Sequence, residues 1–244
     1  KMQNSSGEKT SLLETAKLTE DKRFSDIKII DWSRDHRYVL VSGVIKGDKR
    51  YWVVNTESKS VDDLTSLSPL KFERMVFSTS NSEELYGSFS GDLVKLNLRT
   101  KSVSGTLDNH VVYFTFSTEG KLYYIKDSGG TRSLWQTNAD LNGKVDLSDA
   151  IPVSDAYEAK VSSKNQRVAL SVKNNSLLYL VTKVGEKNSL ITLGKNVTDF
   201  AWSQDGERLF YKEQSSNIVV LEDDGYKKET QEYYNNDIAY NKFF

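Results

Sequence analysis

The feature that most constrains this chain is an internal repeat of about forty residues, a length that points to stacked supersecondary units. One pattern recurs: an apolar strand end, a serine, a short polar turn, then another apolar strand. It reads Ile30-Asp31-Trp32-Ser33-Arg34-Asp35, followed by Tyr38-Val39-Leu40-Val41. It returns as Val76-Phe77-Ser78 before Leu85-Tyr86, and as Thr115-Phe116-Ser117-Thr118-Glu119-Gly120 before Leu122-Tyr123-Tyr124. A weaker copy is Lys160-Val161-Ser162 before Val168-Ala169-Leu170. The clearest is Phe200-Ala201-Trp202-Ser203-Gln204-Asp205-Gly206 before Leu209-Phe210-Tyr211. The five serines, at 33, 78, 117, 162 and 203, recur at intervals of 39 to 45 residues. A repeat of that length holding several short strands is the sequence signature of a β-propeller.

Each repeat reads as four strands. The second runs after the serine turn, as in Tyr38–Ile45 and Lys121–Asp127. Tight polar turns follow at Lys46-Gly47-Asp48-Lys49, Ser90-Gly91, Ser128-Gly129-Gly130, Asn174-Asn175 and Ser215-Ser216-Asn217. Gly and Asn tolerate the positive φ that two-residue hairpin turns require. Third strands are expected at Tyr51–Asn55, Leu93–Leu98, Ser133–Thr137, Leu177–Thr182 and Ile218–Glu222. Charged turns lead to a short fourth strand, and Glu57-Ser58-Lys59-Ser60-Val61 stands in register with Arg99-Thr100-Lys101-Ser102-Val103. Tyrosine (13) and phenylalanine (10) are plentiful and proline (2) is scarce, which suits short strands joined by hairpins.

The expectation is an all-β fold: a β-propeller with five recognisable four-stranded blades over residues 27–228. Residues 1–26 form an N-terminal segment, where Ser11-Leu12-Leu13-Glu14 could cap a short helix. Residues 229–244 read as the start of a further repeat, because Asp237-Ile238-Ala239-Tyr240-Asn241 lines up with Asp199-Phe200-Ala201-Trp202-Ser203. A sixth blade, incomplete or shared between the chain ends, follows, with residues 11–19 as its outer strand. Closing a propeller this way removes exposed strand edges. Within the turns, a serine at the strand end and an aspartate two residues later can cap backbone N–H groups. Trp32 and Trp202 are expected to fill the wedge between neighbouring blades as core.

Charge and cysteine content remove several functions. Lys plus Arg number 33 and Asp plus Glu 34, a formal net charge of −1, which predicts no footprint for nucleic acid or anionic membrane. With no cysteine, disulfides, thiolate nucleophiles and Cys-based zinc sites are excluded. No apolar run approaches the roughly 18 residues that span a bilayer.

The catalytic vocabulary is thin. The two histidines, His36 and His110, occupy different positions within their repeats. No Gly-x-Ser-x-Gly elbow, Walker loop or dinucleotide-binding glycine motif is present. No catalytic or cofactor-binding residue is expected. The carboxylates of Glu83-Glu84 and Asp223-Asp224-Gly225 read as solvated loop tips. One segment resembles a calcium loop: Asn138-Ala139-Asp140-Leu141-Asn142-Gly143-Lys144-Val145-Asp146, with Asp149 beyond it. Asn138, Asp140, Asn142 and Asp146 would offer alternating oxygens, with Gly143 at the bend. Asn138 at the first position and the short Asp149 depart from that pattern. The competing reading makes Asn142-Gly143 a type I′ hairpin turn, and no tight metal site is expected.

Trp202-Ser203-Gln204-Asp205-Gly206 matches in full the Trp-Ser-x-Asp-Gly turn of the WD-repeat-like, TolB-type propeller blades, which these repeats resemble. Trp32-Ser33-Arg34-Asp35 matches up to His36, which replaces Gly; the other three copies keep little beyond the serine. The resemblance covers about residues 27 to 228. In overall texture the chain is also similar to the propeller that follows a PEGA domain in some bacterial envelope proteins. That resemblance implies an extracytoplasmic setting, with an anchor upstream of Lys1. It also implies a noncatalytic module that binds protein or a cell-surface polymer. The alternatives are an enzyme or accessory domain acting on glycan or peptide in a central funnel, and a purely structural spacer.

Overall fold

The computed structural model describes residues 2–3, 9–10, 24–67, 70–164, 167–184, 187–214, 218–221 and 228–229. The chain divides into two compact units, Lys1–Val111 and Val112–Phe244.

The first unit holds a short hairpin, β1 (Met2–Gln3) with β2 (Lys9–Thr10), and two four-stranded sheets. The first sheet is β3 (Phe24–Trp32), β4 (Tyr38–Ile45), β5 (Asp48–Asn55) and β6 (Val61–Asp63). A single helical turn, α1 (Leu64–Leu67), leads to the second sheet: β7 (Arg74–Phe77), β8 (Glu84–Phe89), β9 (Asp92–Asn97) and β10 (Ser102–Val103). The second unit carries three more sheets. They are β11 (Val111–Phe116) to β14 (Val145–Ile151) with β12 (Lys121–Ser128) and β13 (Thr131–Asn138) between them; β15 (Tyr157–Val161), β16 (Val168–Val172), β17 (Leu177–Val184) and β18 (Lys187–Lys195); and β19 (Val197–Trp202), β20 (Leu209–Glu213), β21 (Ile218–Leu221) and β22 (Lys228–Glu229). Each is an antiparallel meander in chain order.

Hairpin chemistry sets the registers. Lys46-Gly47 takes φ of 52° and 88° and Ser90-Gly91 takes 48° and 82°, the pair of positive values that a type I′ turn requires. Because two residues suffice, Asp48 pairs with Ile45 and β5 starts there, three residues before the expected Tyr51. Gly129-Gly130 turns the same way at 65° and 90°, so β13 starts at Thr131 rather than Ser133. Asn174-Asn175 does not make such a turn. Ser154 Oγ donates to Asn174 Oδ1 at 3.0 Å, and the chain forms a 3-10 turn over Lys173–Asn175 that ends on Ser176 at φ 52°. The charged turns repeat as expected: Asn55 and Asn97 each accept backbone N–H bonds from the turn, and Lys59 and Lys101 each take the left-handed conformation. The segment 11–19, the turn 215–217 and residues 230–244 lie outside the described residues.

Within each unit the core lies between successive sheets. In the first unit Leu40, Tyr51 and Val53 meet Met75, Phe77, Leu85, Val94 and Leu96, with Leu64 of α1 and Phe72 closing the cluster. A Cβ on Gly87 would stand 2.7 Å from the Phe72 ring, so this strand position has no room for a side chain. In the second unit Val168, Leu170 and Val172 face one sheet, while Ala169 faces the next beside Phe200 and Tyr211. Both faces of β16 are therefore buried, which fits an apolar run broken only by the buried Ser171 rather than an alternating pattern. Each such Leu or Val contributes about 1.5–3 kcal/mol through burial.

The tryptophans correct the sequence reading. Trp32 and Trp202 are half-buried at the cluster margins, not wedge-filling core. Trp202 Nε1 donates to the Lys160 carbonyl at 2.8 Å, and that polar tie keeps the ring near the rim. The fully buried tryptophan is Trp52.

Candidate functional site

The repeated turn is built as its residue types dictate. In the first sheet Ser33 Oγ donates to Asp35 Oδ1 at 2.8 Å and accepts Tyr38 N at 2.9 Å, while Asp35 Oδ1 also accepts Arg37 N at 3.1 Å. In the fifth, Ser203 Oγ donates to Asp205 Oδ1 and accepts Arg208 N at 2.9 Å, and Asp205 Oδ1 accepts Glu207 N at 3.0 Å. His36, Gly120 and Gly206 occupy the same left-handed position, at φ 58°, 83° and 74°. The motif residues thus satisfy turn N–H groups that would otherwise be orphaned. Partial desolvation raises the pKa of Asp35, but hydrogen bonds from Arg37 and Ser33 outweigh it and hold the carboxyl well below the usual range. Asp31, four residues earlier, is displaced upward by burial despite accepting Phe77 N and Trp32 N at 2.8 Å each.

The calcium-like segment is a loop joined to the start of β14. Asn138 ends β13, Asp140 and Asn142 lie in the connection to β14, and Asp146 sits in β14 opposite Trp135. The loop oxygens serve the loop. Asp140 accepts Asn142 N at 3.0 Å and Asn142 Nδ2 at 2.8 Å. Asn138 Oδ1 accepts from Lys121 Nζ, and Asp146 Oδ1 accepts Ser148 N at 3.2 Å. The left-handed residues are Leu141 (63°) and Gly143 (68°). Asn142-Gly143 is therefore not a type I′ turn, because the Asp140 carboxylate captures Asn142 N and moves the left-handed residue to Leu141. Among the described residues no three His, Asp or Glu side chains gather within reach of one ion. His36 and His110 stand on separate turns, both with positive φ.

A third feature carries no sequence motif. A cleft of about 240 Å³ in the first unit is lined by Asp48, Lys49, Arg50, Asp63, Thr65 and Lys71, with Leu70 as its apolar wall. The two-residue turn before β5 sets the first three at the cleft, and α1 supplies the hydroxyls. Asp63 accepts Thr65 N at 2.9 Å and, through its carbonyl, Ser66 Oγ at 2.6 Å, the arrangement of a cap on a helical turn. The other carboxylate oxygen, Asp63 Oδ2, makes a long ion pair with Arg50 Nη1 at 3.7 Å, beyond hydrogen-bond length. Lys71 Nζ bonds Asp48 Oδ1 at 2.9 Å with both side chains well exposed, at 85% and 59%. Lys49 Nζ lies 5.0 Å from the Tyr51 ring centroid and donates to the Glu73 carbonyl at 3.0 Å. The Tyr51 hydroxyl donates to that carbonyl too, at 3.0 Å, and burial pushes its pKa up to about 12. The sequence alone conceals this site, because Lys46-Gly47-Asp48-Lys49 reads there as one polar turn. The available signal was Asp63-Leu64-Thr65-Ser66, a capping pattern on an apolar spacing that continues to Leu67 and Leu70.

No protein-family model and no curated sequence matches the chain. Solved structures do. TolB from Acinetobacter baumannii is similar at 14% identity and a TM-score of 0.56, over 91% of this chain and 56% of TolB. A chain of a mitotic checkpoint complex is similar at 15% identity and a TM-score of 0.60, over 92% of this chain and 68% of the other. An oligogalacturonate lyase in complex with manganese is similar at 14% identity and a TM-score of 0.57, over 82% of this chain and 63% of the lyase. The chain spans less than two thirds of both TolB and the lyase. Likeness at such identities shows the fold alone, and that fold is an all-β propeller. Among the described residues no helix is long and apolar enough to cross a membrane.

Proposed function

We propose that this chain is a noncatalytic propeller module that binds a macromolecule, a protein or a cell-surface polymer, as part of a bacterial envelope or surface protein. The five four-stranded sheets act as five blades. The observation that carries the reading is the fold itself: consecutive four-stranded meanders joined by turns at the sheet ends, the arrangement that presents loops to a partner. A chain of similar fold belongs to the mitotic checkpoint complex. In the first unit the exposed turns include Arg34, His36 and Arg37. The envelope setting rests on the resemblance in sequence.

Titration of the immobilised chain against purified envelope proteins and cell-surface polymers tests this. Saturable binding of one member, with its covalent structure unchanged, is the expected result. The likeness to the lyase supports a second reading, an enzyme acting on an acidic glycan. Incubation with oligogalacturonate and manganese separates the two. Accumulation of unsaturated product, read by ultraviolet absorbance, would overturn the noncatalytic reading.

A further inference from the structure

We propose that the cleft between the start of β5 and α1 is a binding site for a phosphate- or sulfate-type oxyanion, free or carried as a monoester on a small polar molecule. This goes beyond the partner-binding reading and does not depend on it.

The cleft gathers cations whose charge is incompletely met. Arg50 is the central group. It makes one long ion pair, Nη1 standing 3.7 Å from Asp63 Oδ2, while Asp63 Oδ1 accepts Thr65 N of α1. Because that pair is longer than a hydrogen bond, the planar fork can still meet two oxygens of a tetrahedral anion. Lys71 holds Asp48 in a pair so exposed that an incoming anion displaces it at small cost, since such pairs contribute about 0–1 kcal/mol. Lys49 stands beside them. Its pKa is lowered by partial burial and further by Arg74 and Lys28, so it sits in a field of like charge that an anion would relieve. Of the charged side chains that line the cleft, the cations Lys49, Arg50 and Lys71 outnumber the carboxylates Asp48 and Asp63. Leu70 gives a carrier one apolar contact. At about 240 Å³ the cleft has room for several water-sized groups of about 30 Å³ each, enough for an oxyanion and a short carrier.

The test is an NMR titration of the isotope-labelled chain with inorganic phosphate at constant ionic strength, chloride serving as the control ion. Saturable shifts at the amides of Lys49, Arg50, Thr65 and Ser66, with a Kd near 1 mM, are expected. Arg50→Gln and Lys49→Gln should each weaken binding about tenfold, whereas Asp48→Asn, which removes the internal competitor, should tighten it several-fold. Lys195→Gln, an exposed lysine of the second unit, should change nothing. Circular dichroism confirms that each variant is folded. Glycerol phosphate distinguishes the sources: tighter binding than phosphate assigns the site to a monoester, and equal binding to the free ion. Shifts that do not saturate by about 50 mM, or equal weakening by Lys195→Gln and Arg50→Gln, would overturn the proposal.

Discussion

The turn from Ser33 to Tyr38 and the turn from Ser203 to Arg208 share one hydrogen-bond network, yet one carries His36 and the other Gly206 at the left-handed position. The backbone requirement is the same in both. What differs is the neighbour. A Cβ on Gly206 would stand 2.5 Å from Ser163 Oγ, 2.7 Å from Lys164 N and 2.9 Å from Ser162 Oγ. The turn of the fourth sheet packs directly on it, and Ser162 Oγ donates to the Gly206 carbonyl at 2.7 Å. His36 is exposed, with its ring edge-on to Trp32 at 6.2 Å. The glycine of this motif is thus required by sheet-to-sheet packing more than by φ, and where packing relaxes a histidine takes its place.

Substituting the two positions breaks the comparison most directly. Gly206→Ala forces a methyl against the Lys164 backbone and adds left-handed strain. The expected loss is about 3 kcal/mol, from overpacking of about 1–3 kcal/mol and about 1 kcal/mol of backbone strain. His36→Gly relieves its own strain but loosens the unfolded chain, so its effect should stay within about 1 kcal/mol. Urea midpoints for the two variants measure this. Equal losses at both sites would show that φ, not packing, selects the glycine.

Trp202→Ala ranks next. The ring covers the buried Arg167 guanidinium at 5.1 Å and anchors to Lys160. Because Trp202 is only half-buried, the loss should be about 2 kcal/mol, below the 3–5 kcal/mol of a fully buried aromatic. Trp52→Ala, at a fully buried site, should reach that higher range. A Trp202 variant as damaging as the Trp52 variant would restore the wedge-filling role that the sequence suggests.

The serines are a finer probe. Ser33 is 1% exposed, whereas Ser203 is half-buried. Ser33→Ala strands Tyr38 N in a dry site and should cost about 1–2 kcal/mol; Ser203→Ala, with water nearby, should cost about half that. Identical thermal shifts would mean that burial does not distinguish the two turns.

These contrasts also mark what the sequence could and could not reveal. Ser33, Asp35, Ser203 and Asp205 were legible because their chemistry is local: an oxygen two residues from a free N–H has one obvious use. The hairpins at Ser90-Gly91 and Gly129-Gly130 were legible for the same reason. Trp202 was misread because burial depends on a neighbouring sheet some forty residues away, which no local pattern encodes. Alternating oxygens at Asn138, Asp140 and Asn142 were visible, but their commitment to the loop backbone was not, since one Asx contact decides it. The cleft escaped because Asp48 and Lys71 meet only after α1 folds between them, and each alone reads as ordinary solvated charge.

The smallest effect isolates charge from capping. In Asp35→Asn the Oδ1 acceptor for Ser33 Oγ and Arg37 N can remain, and only the Oδ2 pairing with Arg37 Nε is lost. Asp35 has a depressed folded pKa. Its ionic contribution is therefore fully present above the unfolded carboxylate value of about 3.9 and is lost as pH falls through that value toward the lower folded one. The stability gap between wild type and Asp35→Asn should be small and constant from pH 7 down to about 4, then shrink steadily as pH falls further. Because the pair is exposed, high salt should shrink the gap at pH 7. Thermal midpoints across that range, at low and high salt, give the answer. A gap that does not shrink between about pH 4 and 2 would mean the substitution acts through the cap geometry, making the turn in the first sheet dependent on shape where the comparison assigns part of it to charge.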